Sequence, residues 1–215
     1  MTTEVDLCFV LDCTISMASH IAAAKDCIVR VAAECAGRER SIRIRVGFCG
    51  YRDHCDGANR LQIFDFTNSC DDFRNYITAN VKAMGGGDPP EDVLGGLDAS
   101  INRMTWRNTI RVLFHIADYP GHGARVSQGL GDSYPSGDPN GLTEESVLRN
   151  MQSANIRYFF GKITNYTDTM INVFRSILGD FKVFELQTVR KNPNELVDKF
   201  VDATVEAIST AISLY

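Results

Sequence analysis

Apolar positions along the chain recur with two periods, and the two periods alternate from one end to the other. Residues 5–11 (VDLCFVL) form a nearly continuous apolar run, the pattern of a strand buried on both faces. Beyond it, Ile21, Ala24, Ile28, Val31 and Cys35 recur three and four apart. That spacing predicts an amphipathic helix over residues 17–36, with Gly37 as its C-cap. Residues 42–51 and 61–66 read as strands joined through the turn-like Asp53-His54-Cys55-Asp56-Gly57. Asn68-Ser69 opens a helix with Phe73, Tyr76, Ile77 and Val81 on one face. The run Gly85-Gly86-Gly87-Asp88-Pro89-Pro90 breaks it, and the next helix is predicted from near Glu91. Pro90 would sit in its first turn, where no amide hydrogen is missed. Residues 112–116, 158–163 and 183–188 read as further strands. Helices over 144–155, 167–178 and from 195 onward fill the gaps, the last with Leu196, Phe200, Val201, Val205, Ile208 and Ile212 on one stripe.

Strand and helix in this alternation predict an α/β fold: a doubly wound, mostly parallel six-stranded sheet with helices on both faces. The hairpin over 42–66 supplies one antiparallel edge strand. Such sheets hold ligands beyond the carboxyl ends of their strands, where strand order reverses. The longest irregular segment, residues 119–142, starts immediately after Asp118, and loops of that length in compact domains are functional or disordered. The length fits a single domain, 1–215, and the last helical pattern runs to the final residues, as it would in a fragment of a larger protein.

Composition narrows the function. With 22 Lys and Arg against 27 Asp and Glu, the formal charge is −5, whereas nucleic-acid binding calls for a basic face. A membrane span needs about 20 apolar residues, and the longest candidate, 7–24, is interrupted by Asp12. The start, Met1-Thr2-Thr3-Glu4-Val5-Asp6, lacks the basic region of a signal peptide. Seven cysteines (Cys8, Cys13, Cys27, Cys35, Cys49, Cys55, Cys70) fall in the first third. An odd number with no signal peptide predicts free thiols in a reducing, cytoplasmic compartment. Cys49, His54 and Cys55 lack the paired spacing of a zinc site.

The candidate chemistry follows the first strand. Asp12, Thr14 and Ser16 bring one carboxylate and two hydroxyls to a strand-to-helix loop, all hard oxygen donors suited to magnesium, manganese or calcium. The same residue types are also N-caps, so the motif alone fits capping equally well. Asp118 follows a strand that the alternation places beside the first, and Glu91 and Asp88 lie in the glycine-rich loop. Acidic residues favour helix starts through the dipole alone, but that effect needs neither three glycines nor two prolines in a row. Those residues fix an unusual backbone path and allow close approach. Asp12, Thr14, Ser16, Glu91 and Asp118 together make an oxygen set with a position left open for a ligand.

Asp12-x-Thr14-x-Ser16 resembles the metal ion-dependent adhesion site of von Willebrand factor A (VWA) domains, where the usual pattern is Asp-x-Ser-x-Ser and Thr14 keeps the hydroxyl. The segment Gly86-Gly87-Asp88-Pro89-Pro90-Glu91 resembles the Asp-x-Pro-Glu loop of integrin β subunits, in which the Glu is a ligand. Asp118, in Phe114-His115-Ile116-Ala117-Asp118, matches the family's distal Asp. Residues 45–53 are similar to the segment that supplies a second integrin cation site, for which Asp53 and Asp88 would be the carboxylates. The Asn completing that site is Gly86 here, and Ser19 and His20 stand where the third integrin site has its ligands. The Gly-Gly-Gly-Asp-Pro-Pro-Glu-Asp and His115-Ile116-Ala117-Asp118-x-Pro120-x-His122-Gly123 segments are also similar to intracellular VWA domains found beside alpha-kinase domains.

The resemblance, which spans essentially the whole chain, implies a Rossmann-like fold and binding rather than turnover. Magnesium (or Mn2+/Ca2+) would be held directly by Thr14, Ser16 and Glu91, with Asp12 and Asp118 holding its waters. The implied partner is a protein presenting an Asp or Glu, with no nucleic acid, no membrane insertion and a monomeric domain. Two rivals stand beside this reading. A magnesium phosphohydrolase of the haloacid dehalogenase type needs Asp-x-Asp, and Thr14 replaces the second Asp and removes the general acid. No P-loop occurs, and Ser16 has only His20 near it as a base, with His54, His115 and His122 read as structural or surface residues. The other rival is a metal-free VWA scaffold.

Overall fold

The computed structural model of the chain describes residues 2–38, 42–187 and 193–215. Six strands form one sheet in the order β3-β2-β1-β4-β5-β6: β1 (Thr3–Asp12), β2 (Ile42–Tyr51), β3 (Leu61–Thr67), β4 (Ile110–Ala117), β5 (Arg157–Lys162) and β6 (Val183–Glu185). All neighbours are parallel except β2 and β3, so the antiparallel strand is the edge strand expected. The helices are α1 (Ala18–Arg38), α2 (Cys70–Asn80), α3 (Val93–Asn102), the single turn α4 (Ala124–Ser127), α5 (Glu144–Ser153), α6 (Asp168–Leu178) and α7 (Pro193–Ser213).

β1 runs through the middle of the sheet and is apolar on both faces because both are covered. Leu7, Phe9 and Leu11 point into one core with Phe73 of α2 and Phe200 of α7, where α1 also packs against α7. Cys8 and Val10 point into the other, with Leu97 of α3, Leu148 of α5 and Phe174 of α6. Within that second core His115 is fully buried, its ring nitrogens 2.7 Å from the hydroxyls of Tyr51 and Tyr158. Asp6 is the buried charge at the other end of β1. It accepts from Arg45 Nε and Nη2 (2.8 Å each), Asn108 Nδ2 (2.7 Å) and the backbone N–H groups of Arg107 and Asn108 (2.7 and 3.0 Å). A cleft lined by Thr2, Thr3, Arg107 and Tyr215 brings the first and last described residues together at this pole.

Several helix boundaries differ from the expectation by a residue or two, and two of these have a structural consequence. α1 continues through Gly37 to Arg38, so Gly37 is not its cap. α3 starts at Val93, leaving Pro90 and Glu91 outside, because Asp92 takes the cap position and accepts from the Gly95 N–H at 2.9 Å. The strand expected over 183–188 ends at Glu185, Leu186 and Gln187 lying beyond it, while position 188 and the side chains of Ile28 and Cys35 lie outside the described residues. Cys8, Cys13, Cys49, Cys55 and Cys70 are free thiols. Among the described residues no helix is long and apolar enough to cross a membrane.

Candidate functional site

The order of strand use reverses between β1 and β4. The chain leaves β1 toward β2 and β3 on one side, then returns to lay β4 on the other. Leu11 of β1 pairs with Ile116 of β4, so Asp12 and Asp118 leave the sheet side by side. Both are buried. Asp12 Oδ1 accepts from the Thr14 N–H at 2.9 Å and from its hydroxyl at 2.7 Å, and Thr14 Oγ1 lies 3.2 Å from Ser16 Oγ. Thr14 does occupy the N-cap position of a short 3-10 turn, but its side chain makes no capping bond. The hydroxyl is turned back to the carboxylate, which removes capping as the explanation for this residue.

Glu91 reaches the same place from another loop. Its N–H donates to Pro120 O at 3.0 Å, and Glu91 forms a one-residue parallel bridge with Gly121, three positions past Asp118. The glycine run makes room. Gly85 and Gly86 have φ of 76° and 87°, values that a side chain disfavours. A Cβ on Gly86 would stand 3.1 Å from Glu91 Oε1 and 3.4 Å from Thr14 Cβ, so the backbone passes between the two residues. A Cβ on Gly85 would collide with the Asp56 carboxylate. The close approach expected of these glycines is therefore an approach to the candidate site itself.

Electrostatically the site is unbalanced. Asp12 Oδ2, Glu91 Oε2 and Asp118 Oδ1 are buried with no hydrogen-bond partner. Burial, and then the neighbouring Asp118, push the Asp12 carboxyl up to about 8. Burial, and then Asp12, Asp53 and Asp118, push Glu91 up to about 10. The nearby buried arginine, Arg52, spends its terminal nitrogens on Asn59 O (2.6 Å) and Lys82 O (3.0 Å). Unpaired buried carboxylates are costly, and a hard dication is the natural counter-charge for a set made only of oxygens. The residues present fit such an ion.

Two tighter clusters lie beside this site. Among the described residues, Asp53–Asp88–His122 and His54–Asp92–Asp138 are trios whose ligand atoms all lie within 4.8 Å of one another. The candidate second-site residues Asp53 and Asp88 are thus brought together, with His122 added. His122 Nε2 is 2.9 Å from Asp53 Oδ1 and Nδ1 is 2.8 Å from Asp132 Oδ1. Asp53 also accepts from the His54 N–H at 2.5 Å. Burial raises the Asp53 carboxyl, but His122, Cys55 and that N–H outweigh it and hold it below the usual range. His54 Nε2 lies 3.2 Å from Asp138 and 3.4 Å from Asp92, and these carboxylates outweigh burial to raise its pKa. Tyr134 sets a ring edge against both histidines. Sequence reasoning missed this clasp. It joins three loops far apart in the chain through residue types common in any polar loop, and the one available signal was the unusual length of residues 119–142.

A cavity of about 550 Å3 lies at the opposite end of β1 and β2, between Leu7, Ile42, Arg43, Val46 and Cys70, and contains none of these groups.

The chain is 38% identical over 210 residues to the alpha-protein kinase vwkA of Dictyostelium discoideum. That alignment takes in 97% of this chain and 32% of the kinase, so the chain spans about a third of that relative's length. Among solved structures, the pilus adhesin SpaC of Lactobacillus rhamnosus GG in its open conformation superposes with a TM-score of 0.59 at 13% identity, over 97% of this chain and 30% of the adhesin. Proximal thread matrix protein 1 from the mussel byssus superposes with a TM-score of 0.58 at 12% identity, over 96% and 46%. These two likenesses are of fold. The family model of the von Willebrand factor A domain matches residues 6–130, more than half of the sequence, and the chain belongs to that family.

Proposed function

We propose that the domain is a cation-dependent protein-binding module, in which a magnesium ion at the end of β1 accepts an Asp or Glu side chain from a partner. Thr14, Ser16 and Glu91 would hold the ion directly, and Asp12 and Asp118 would hold its waters. The ion would supply a positive, hard Lewis-acid centre on an otherwise acidic face. The observation that supports this reading is the set of three buried carboxylate oxygens without partners, on Asp12, Glu91 and Asp118, beside the paired hydroxyls of Thr14 and Ser16. Family membership supports it, since VWA domains generally serve as non-catalytic interaction modules. Manganese or calcium fit the same donors.

Asp53 and Asp88 extend the reading to a second cation. Asp88 Oδ1 is buried without a partner, which favours one, while His122 holds Asp53. The second ion would displace that contact and bind more weakly than the first. The likeness to the Dictyostelium kinase and the free thiols further support a cytoplasmic parent protein carrying an alpha-kinase domain, with this part acting as a monomeric, non-catalytic domain.

Calorimetry with magnesium and manganese tests the central claim. We expect saturable binding in the native chain and in Asp180→Asn, an exposed control, and loss of the tighter binding phase in Asp12→Ala. Absence of heat in the native chain at millimolar ion would overturn the reading.

A further inference from the structure

Five large apolar or aromatic side chains stand exposed among the described residues: Ile15, Met84, Tyr166, Leu214 and Tyr215. The last two are terminal. The other three lie on the loops that carry the candidate site residues or are bonded to them. Ile15, 66% exposed, sits between Thr14 and Ser16 in the oxygen-bearing loop itself. Met84, 43% exposed, is held on the same side because its N–H donates to Cys13 O at 3.0 Å while Ile15 N donates to Gly85 O at 3.4 Å. On the β4 loop Tyr119 follows Asp118 directly, and its ring stacks on Tyr166 with centroids 5.0 Å apart and planes 7° from parallel. Tyr166, 54% exposed, is anchored there because Thr164 Oγ1 donates to Asp118 O.

Scattered exposed apolar residues need no explanation, whereas a group of them around a polar centre marks a binding surface. Here the polar centre leaves such a group something to do. Three carboxylates around a dication leave a net negative site, so the ion attracts a further carboxylate only weakly. Affinity then has to come from beside the ion, and rigid aromatic and aliphatic side chains at the centre of an interface supply it. The geometry points to a specific class of partner: a protein segment whose Asp or Glu is flanked on both sides by apolar side chains, one seated on Ile15 and Met84 and the other on the Tyr119–Tyr166 stack. This inference rests on the cation reading above and adds the identity of the flanking contacts.

The test uses short labelled peptides in a Gly/Ser background, with cores Leu-Asp-Phe, Leu-Asn-Phe and Ser-Asp-Ser, titrated in millimolar magnesium and again in chelator. We expect Leu-Asp-Phe to bind at least about tenfold tighter than either of the other two, an amount equal to about 1.4 kcal/mol. The margin over Leu-Asn-Phe should vanish in chelator; the margin over Ser-Asp-Ser should vanish in Ile15→Ser and in Tyr166→Ser and persist in Leu214→Ser. Equal binding of the two acidic cores, lost in chelator, would overturn the apolar contacts and leave the cation reading intact. Chelator-insensitive binding of Leu-Asn-Phe as tight as Leu-Asp-Phe would overturn both. Failure of every peptide to bind, in a protein that shows magnesium heat, would overturn the flanking contacts alone.

Discussion

Glu91 is tied to the segment after Asp118 by backbone, its N–H bonded to Pro120 O and its position bridged to Gly121. The glycine-rich loop and the β4 loop therefore meet as one piece of structure, and the two carboxylates they carry are set relative to each other before any ion arrives. Asp12 joins them through the β1–β4 register. The like charges are held together by the fold, and the fold bears the cost.

That cost yields the first prediction. Asp12→Asn keeps an oxygen for the Thr14 donors and, above about pH 8 where the metal-free Asp12 carboxyl is ionised, removes one buried charge; the melting comparison is made at that pH. Relief of an unsatisfied buried group is worth about 1–3 kcal/mol, and each kcal/mol shifts a domain of this size by about 2–4 °C. The metal-free variant should melt several degrees higher than the native protein and should no longer gain stability from magnesium. Both are read by calorimetric melting with and without the ion.

Glu91→Thr should separate the two roles of charge. Losing a carboxylate weakens magnesium binding by at least about tenfold. The loaded site becomes neutral rather than negative, so the Leu-Asp-Phe peptide should bind several-fold tighter once magnesium is saturating. Equal or weaker peptide binding would count against direct ligation by Glu91.

The histidine clasp is expected to be structural. His122→Ala leaves Asp53 and Asp132 buried without the ring between them, and breaking buried pairs of this kind costs about 3–5 kcal/mol. Urea unfolding should show a lower midpoint with the slope unchanged, and limited proteolysis should open first within residues 123–141. A loss under about 1 kcal/mol would show that the clasp does not hold that loop.

Asp6 sets an acid limit. Burial alone would raise its carboxyl, but Arg45 and the N–H groups of Arg107 and Asn108 bring it below the ordinary 3.8. Because the folded pKa is the depressed one, its stabilisation is fully present above about pH 4 and is lost as pH falls through the folded value. Asp6→Ala, which strands Arg45, should cost about 3–5 kcal/mol near neutrality. The gap between native and variant proteins in denaturant titrations should close as pH drops below 4; a gap constant down to pH 2 would refute the assignment.

The architecture was legible because local pattern and global position agree in it. A central strand covered on both faces must be apolar throughout, as residues 5–11 are, and the edge strand follows from a short hairpin. Ser69 caps α2 as its residue type suggests. The start of α3 was misplaced because Asp92 and Pro90 both suit a helix start, and only the bridge from Glu91 to Gly121, a long-range contact, decides between them. The switch-point rule together with the glycine run pointed to Asp12, Thr14, Ser16, Glu91 and Asp118, and the backbone contacts of Glu91 with Pro120 and Gly121 bring its loop against the one that follows Asp118. The partners of His54 and His122 could not be read, since nothing local distinguishes an aspartate that closes a clasp from one that faces water.

The cleft shared by Thr2, Thr3 and Tyr215 has a practical corollary. Both ends of the described chain emerge at the base of the sheet, a full strand length below Ile15 and Tyr166. An affinity tag or sensor-chip linkage fused at either end would leave the aromatic stack and its neighbours pointing outward into bulk solution. Immobilisation should not mask recognition, whichever end is anchored.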